Sequence, residues 1–193
     1  MTIYVFDGTI DGLLTAVFDA FALHEEPEQL LKAGDALPLF CDRTYHVNTD
    51  DEKARRVLHE QLRMKQFIRF QKAKDGTYLA VVSPDHDVLP LITDHFSDRF
   101  NDQSWLIYDA KRHYGFNYDG QTVIRITFED EAAVPFDLGN GKLDADVLSS
   151  DDQLLQDLWR TYFKAICIKQ RMNPRKQLQD MPRRYWKYMT EKQ

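Results

Sequence analysis

Cysteine is almost absent: Cys41 and Cys167 are the two in 193 residues. A pair of thiols cannot build a disulfide framework, which fits a reducing compartment, and both read as small buried hydrophobes. No run of eighteen apolar residues occurs, so no membrane span is expected. The opening MTIYVFDG lacks the basic region and long apolar stretch of a secretory signal. A cytoplasmic protein with no membrane partner is the expectation. Internal repeats and low-complexity tracts are also lacking.

Most motifs that carry chemistry are missing too. There is no G-x-x-x-x-G-K-[ST], no G-x-G-x-x-G, no G-x-S-x-G and no CxxxCxxC, so nucleotide hydrolysis, dinucleotide binding, serine-hydrolase and cluster chemistry lack their signatures. Six histidines, at 24, 46, 59, 86, 95 and 113, show no HxH or HExxH spacing. No metal site and no cofactor are expected. Asp85, His86 and Asp87 after Pro84 read as capping at a helix start rather than as ion ligands. The segment VFDGT invites comparison with the DxDGT phosphatase loop, but Val5 stands at the nucleophile position and cannot form an aspartyl-phosphate. Asp7, Gly8 and Thr9 are then a turn and a helix cap. Cys41 has His46 five residues on but no third, orienting group.

What is present is enough apolar material for a core: 43% hydrophobic over 193 residues predicts a single domain spanning 1–193. Thr2–Phe6 reads as a strand that turns into a helix bearing Leu13, Leu14, Val17, Phe18 and Phe21. Thr49 with Glu52 forms a capping box before a stripe of Ala54, Val57, Leu58 and Leu62. QFIRFQKAK and TYLAVV flank Asp75-Gly76, and YGFNY and TVIRITF flank Asp119-Gly120, which predicts two hairpins. Leu89, Ile92, Phe96 and Phe100 between them are helical, with Pro90 in the first turn, and SWLIYD is a strand. Residues 129–150 are acidic and read as an irregular, exposed connection. Ser150 with Gln153 caps a long helix whose stripe is Leu155, Leu158, Trp159, Tyr162 and Ile166, ending near Asn173 at Pro174. The predicted class is α+β, a largely antiparallel sheet of hairpins packed by helices, with a C-terminal helix and a basic tail over 172–193.

Charge is sorted along the chain. From Lys164 to Gln193 nine Lys or Arg face two acids, a net of about +7, whereas the rest has sixteen basic residues against twenty-nine acids. One reading is a surface for a polyanion, with Arg171, Arg175, Lys176, Arg183, Arg184 and Lys187 on phosphates and Tyr185 or Trp186 stacking on bases. The other is a tail docked on its own acidic body. The formal charge of −6 for the whole chain confines any nucleic-acid contact to a local site. A second basic-aromatic patch lies in KRHYGFNYDG, where Arg112, Tyr114 and Phe116 share a face if alternate residues do. Its plainer reading puts the aromatics in the core and the cations at a sheet edge.

The segments YVFDGTIDGLLTAVFDAF, WLIYDAKRHYGFNYDG and RMNPRKQLQDMPRRYWKYMTE together resemble a bacterial family linked to DNA metabolism or repair. The resemblance implies a DNA-associated protein that works with a radical-SAM DNA modification or repair protein, and whose domain also occurs fused ahead of a uracil-DNA glycosylase-like domain. It carries over no catalytic residue. Three functions follow as expectations: a DNA-binding accessory protein, a protein-interaction module, or a nuclease or glycosylase using Asp7, Asp109 or His113.

Overall fold

The computed structural model describes residues 1–128 and 134–192. Two compact units emerge, Met1–Leu62 with Pro84–Leu91, and Arg63–Ser83 with Ile92–Gln193.

In the first unit β1 (Thr2–Phe6) runs between β2 (Gln29–Lys32) and β3 (Arg43–His46), and both pairings are parallel. Parallel neighbours need a crossover, and α1 (Ile10–Leu23) supplies the one between β1 and β2. Ile3 and Tyr4 are fully buried on β1, and Tyr4 and Phe6 pack with Ala16 and Val47. The Thr9 hydroxyl caps α1 by accepting from the Gly12 amide at 2.9 Å, and Asp7 accepts from the Thr9 amide and hydroxyl at 2.9 and 2.6 Å. A Cβ at position 12 would lie 2.1 Å from Asp7 Oδ1, so any larger residue there must displace the Asp7 carboxylate. The turn-and-cap reading of Asp7, Gly8 and Thr9 is thus correct.

Helix α2 (Asp51–Phe67) is capped differently from expectation: Asp50 Oδ1, not Thr49, accepts from the amides of Glu52 and Lys53 at 2.8 and 3.0 Å. Thr49 instead donates its hydroxyl to Asp7 at 2.8 Å. Ala54 and Val57 are buried, but Leu58 and Leu62 are 40% and 45% exposed, so the inward stripe is narrower than the sequence suggests.

The second unit holds a mixed five-stranded sheet, ordered β4 (Gln71–Lys72), β5 (Tyr78–Val82), β6 (Trp105–Asp109), β7 (Tyr114–Tyr118) and β8 (Val123–Thr127). Only β5 and β6 pair in parallel; the other pairs are antiparallel. Both Asp-Gly turns form, with Gly76 and Gly120 at φ 91° and 97°. The first hairpin is short because α2 runs on through Gln66 and Phe67, residues expected in the strand. The parallel step between β5 and β6 accommodates a 3-10 turn at Leu89–Leu91, which contains Pro90, and α3 (Thr93–Arg99). The class is α+β as expected, but in place of one largely antiparallel sheet there are a parallel three-stranded sheet in the first unit and a mixed one in the second.

Part of the acidic connection, 129–133, lies outside the described residues. The remainder is irregular but not all exposed: Val134, Phe136 and Leu143 are buried with Leu79, Val81, Leu106 and Tyr108. Helix α4 (Ser150–Ile166) follows, preceded by Ser149, which makes no side-chain cap bond. Pro174 does not end this helix. It opens α5 (Pro174–Asp180), with Asn173 capping by accepting from the Lys176 amide at 3.0 Å. The chain closes with 3-10 segments at Arg183–Tyr188 and Thr190–Lys192. Among the described residues no helix is long and apolar enough to cross a membrane.

Candidate nucleic-acid interface

The basic C-terminal segment is fastened down by its non-basic residues. Tyr185 and Met189 are 4% and 0% exposed, and the Tyr185 ring lies 5.6 Å from that of Phe67. Tyr188 donates its hydroxyl to the Leu138 carbonyl at 3.1 Å, and Arg160 donates to the Thr190 carbonyl at 3.1 Å. Glu191 is the anchor. Its carboxylate accepts from Arg69 Nη2 at 2.7 Å and Nε at 3.3 Å, and from Trp159 Nε1 at 3.1 Å. Burial alone would raise this carboxyl, but the Arg69 and Trp159 hydrogen bonds outweigh it and hold the group below its ordinary range.

With Glu191 turned inward, the outward charge is almost entirely positive. Arg171, Arg175, Lys176, Arg183, Arg184 and Lys187 are all exposed. Asp180, the segment's other acid, pairs with Lys176 at 2.9 Å. The aromatics are dressed by the segment's own cations. The Arg183 guanidinium and Lys192 ammonium lie 5.8 and 4.8 Å from the half-buried Trp186 ring, and Arg184 sits 4.8 Å from Tyr185 and donates to its hydroxyl at 2.6 Å. Lys187 lies 4.5 Å from the Tyr188 ring. Trp186 also donates its indole N–H to the Met181 carbonyl at 3.0 Å. The segment therefore offers guanidinium and ammonium groups outward, while Tyr185 is too deeply buried to present a stacking face.

Arg112 and Tyr114 do not make the open platform that alternation suggested. Tyr114 is 2% exposed and the Arg125 guanidinium covers its ring at 4.2 Å. Arg112 lies in the turn before β7 and donates to Asp109 at 2.7 Å, with its side chain only 14% exposed. Asp109 is completely buried and also accepts from the Lys111 amide at 2.8 Å and the Arg112 amide at 3.3 Å. The turn closes through His113 in the left-handed region, φ 56°. A carboxylate committed to holding a tight turn has no approach for substrate. Asp7, exposed, is likewise bonded to Thr9 and Thr49, which hold its carboxyl below the usual range.

The first unit contains a polar pair that the sequence did not single out. Glu60, 1% exposed on α2, accepts from the amides of Asp85 and His86 at 2.9 Å each and is bonded to His86 Nδ1. Phe18 and Phe21 flank the His86 ring at 5.3 and 4.9 Å, and His86 Nε2 is buried with no hydrogen-bond partner among the described residues. The Asp85 and His86 amides and the His86 ring are thus held by a carboxylate distant in sequence. The available signal was an acid in register with the buried face of α2, three residues after Val57. Among the described residues no group of three or more His, Cys, Asp or Glu is placed to hold a metal ion. The cysteines are not buried either, since Cys41 is half-buried and Cys167 exposed.

Residues 31–191 match the model of a family described as DUF4130, a domain of unknown function. The chain belongs to the DUF4130 family. No curated protein and no solved structure matches it. The DUF4130 match ends at Glu191, so the basic segment is part of the family domain together with its anchor. Glu60, His86 and Asp109 fall inside the DUF4130 region as well. Strand β1, Asp7 and α1 precede it.

Proposed function

We propose that the protein is a DNA-associated accessory factor that holds nucleic acid on its C-terminal face, for repair or modification chemistry carried out by a radical-SAM partner. The observation behind this reading is the division of labour in the C-terminal segment. Its aromatic and acidic side chains, Tyr185, Tyr188 and Glu191, turn inward, and Arg171, Arg175, Lys176, Arg183, Arg184 and Lys187 remain exposed. An ordered row of cations is a better phosphate template than a floppy tail, because less entropy is lost when the polyanion docks. Stacking, where it occurs, falls to Trp186.

The test is fluorescence anisotropy of the purified chain with labelled single-stranded, duplex and uracil-containing DNA across a salt series. Binding should fall steeply with salt. Arg183→Glu with Arg184→Glu should weaken it about tenfold or more and lower the logarithmic salt slope by about two. No binding at low salt would overturn the reading and turn the basic face toward an acid-rich protein instead.

A further inference from the structure

Helix α4 turns an apolar row to solvent. The side chains it directs inward are Asp152, Gln156, Arg160 and Phe163, buried or half-buried, with Gln156 donating to Asp152 and Arg160 to the Thr190 carbonyl, while Gln153, Asp157, Thr161 and Lys164 form an exposed polar row beside the apolar one. Leu154, Leu155, Leu158, Tyr162 and Ile166 are 63%, 57%, 55%, 56% and 54% exposed, and Trp159 is 41% exposed beside Tyr162. The row continues past the helix in Ile168 and Met172, at 51% and 57%. Monomers rarely leave so continuous an apolar row open to water.

The charges at its two ends indicate what covers it. Asp144, Asp146 and Asp151 are exposed at the start of the row, and Arg171, Arg175 and Lys176 are exposed at its far end. A surface that is acidic at one end, apolar in the middle and basic at the other is complementary to itself turned through 180°. We infer that α4 is the two-fold interface of a homodimer, packed antiparallel on the α4 of a second copy. An axis near the middle of the helix sets Leu154 of one copy across from Ile166 of the other, and Leu158 across from Tyr162. Each acidic end then meets the other copy's basic end. Seventeen helical residues span about 25 Å.

This surface shares Arg171, Arg175 and Lys176 with the nucleic-acid reading but does not need Arg183 or Arg184, so loss of DNA binding in the Arg183→Glu, Arg184→Glu chain and loss of association in the Leu158→Glu chain separate the two readings. Sedimentation velocity of the full chain from micromolar to submillimolar concentration should show a reversible species of twice the chain mass. Leu158→Glu, at an exposed position, should keep the far-UV circular dichroism and weaken association at least tenfold or so. Asp151→Lys should weaken it by about threefold. Orientation is read by crosslinking after Cys41→Ser and Cys167→Ser: chains carrying Leu158→Cys mixed with chains carrying Tyr162→Cys should join to each other faster than either joins to itself. A monomer at every concentration, or a dimer indifferent to Leu158→Glu, would overturn the inference.

Discussion

Helices α2 and α4 have the same length, seventeen residues, and both read as amphipathic, yet they are used in opposite ways. On α2 the apolar positions Ala54, Val57 and Met64 are 2%, 0% and 2% exposed. On α4 Leu154, Leu158 and Ile166 face water, and the side chains turned to the fold are Asp152, Gln156, Arg160 and Phe163. Periodicity specifies that a helix has an apolar face; it does not specify which surface receives it. The difference also shows in what is buried with each helix. α2 takes Glu60 inward, where a backbone turn and a histidine satisfy it, so that its buried face mixes methyl groups with a fully engaged carboxylate.

The largest effect should come from breaking the polar part of the α2 face. Glu60→Ala strips His86 and the amides of Asp85 and His86 of their acceptor and should cost about 3–5 kcal/mol, measured by urea unfolding. A cost near zero would mean that the pair is open to water, erasing the contrast with α4. The next comparison is between matched truncations. Val57→Ala should destabilise by about 2 kcal/mol. Leu158→Ala, measured in dilute protein, should stay within about 0.5 kcal/mol. Equal costs would show that the α4 row is covered within a single chain.

A smaller effect concerns Glu191, which ties α4, through Trp159, to the end of the chain. Its folded-state carboxyl is held below its ordinary value of 4.5, so its contribution is complete above that value and is lost as pH falls through the lowered one. Tryptophan fluorescence should report loosening of the C-terminal segment on acidification through that window. Glu191→Gln should remove that pH dependence and cost about 1.5 kcal/mol at neutral pH. A pH profile unchanged by the substitution would place the anchor elsewhere.

Much of the second unit's sheet was legible because its signals are local. Asp75-Gly76 and Asp119-Gly120 demand positive φ, and the alternating runs beside them have nowhere to go but back along themselves. The first unit's parallel sheet was not legible, since QLLK and RTYH are short, largely exposed strands and their pairing with β1 depends on where α1 returns the chain. Prolines misled in one place. Pro174 stops nothing and begins α5, because Asn173 ahead of it makes a cap. For the interface, the exposed arginines and lysines were readable from charge sorting, whereas Tyr114 and Tyr185 needed coordinates: an aromatic beside cations looks the same in sequence whether its ring is offered outward or packed inward.

By itself the sequence determined the α+β class, the two Asp-Gly hairpins, the Thr9 cap of α1 and the concentration of positive charge at the C-terminal end. These depend on a residue and neighbours within a turn or two, where backbone sterics and hydrogen bonding decide. Only the tertiary structure decided that Glu60 holds His86 and that Glu191 holds Arg69. It also decided that α4 turns its apolar side to solvent. Those outcomes join residues 26 and 122 positions apart, and burial or charge pairing at such separations is a property of the packed chain rather than of any stretch of it.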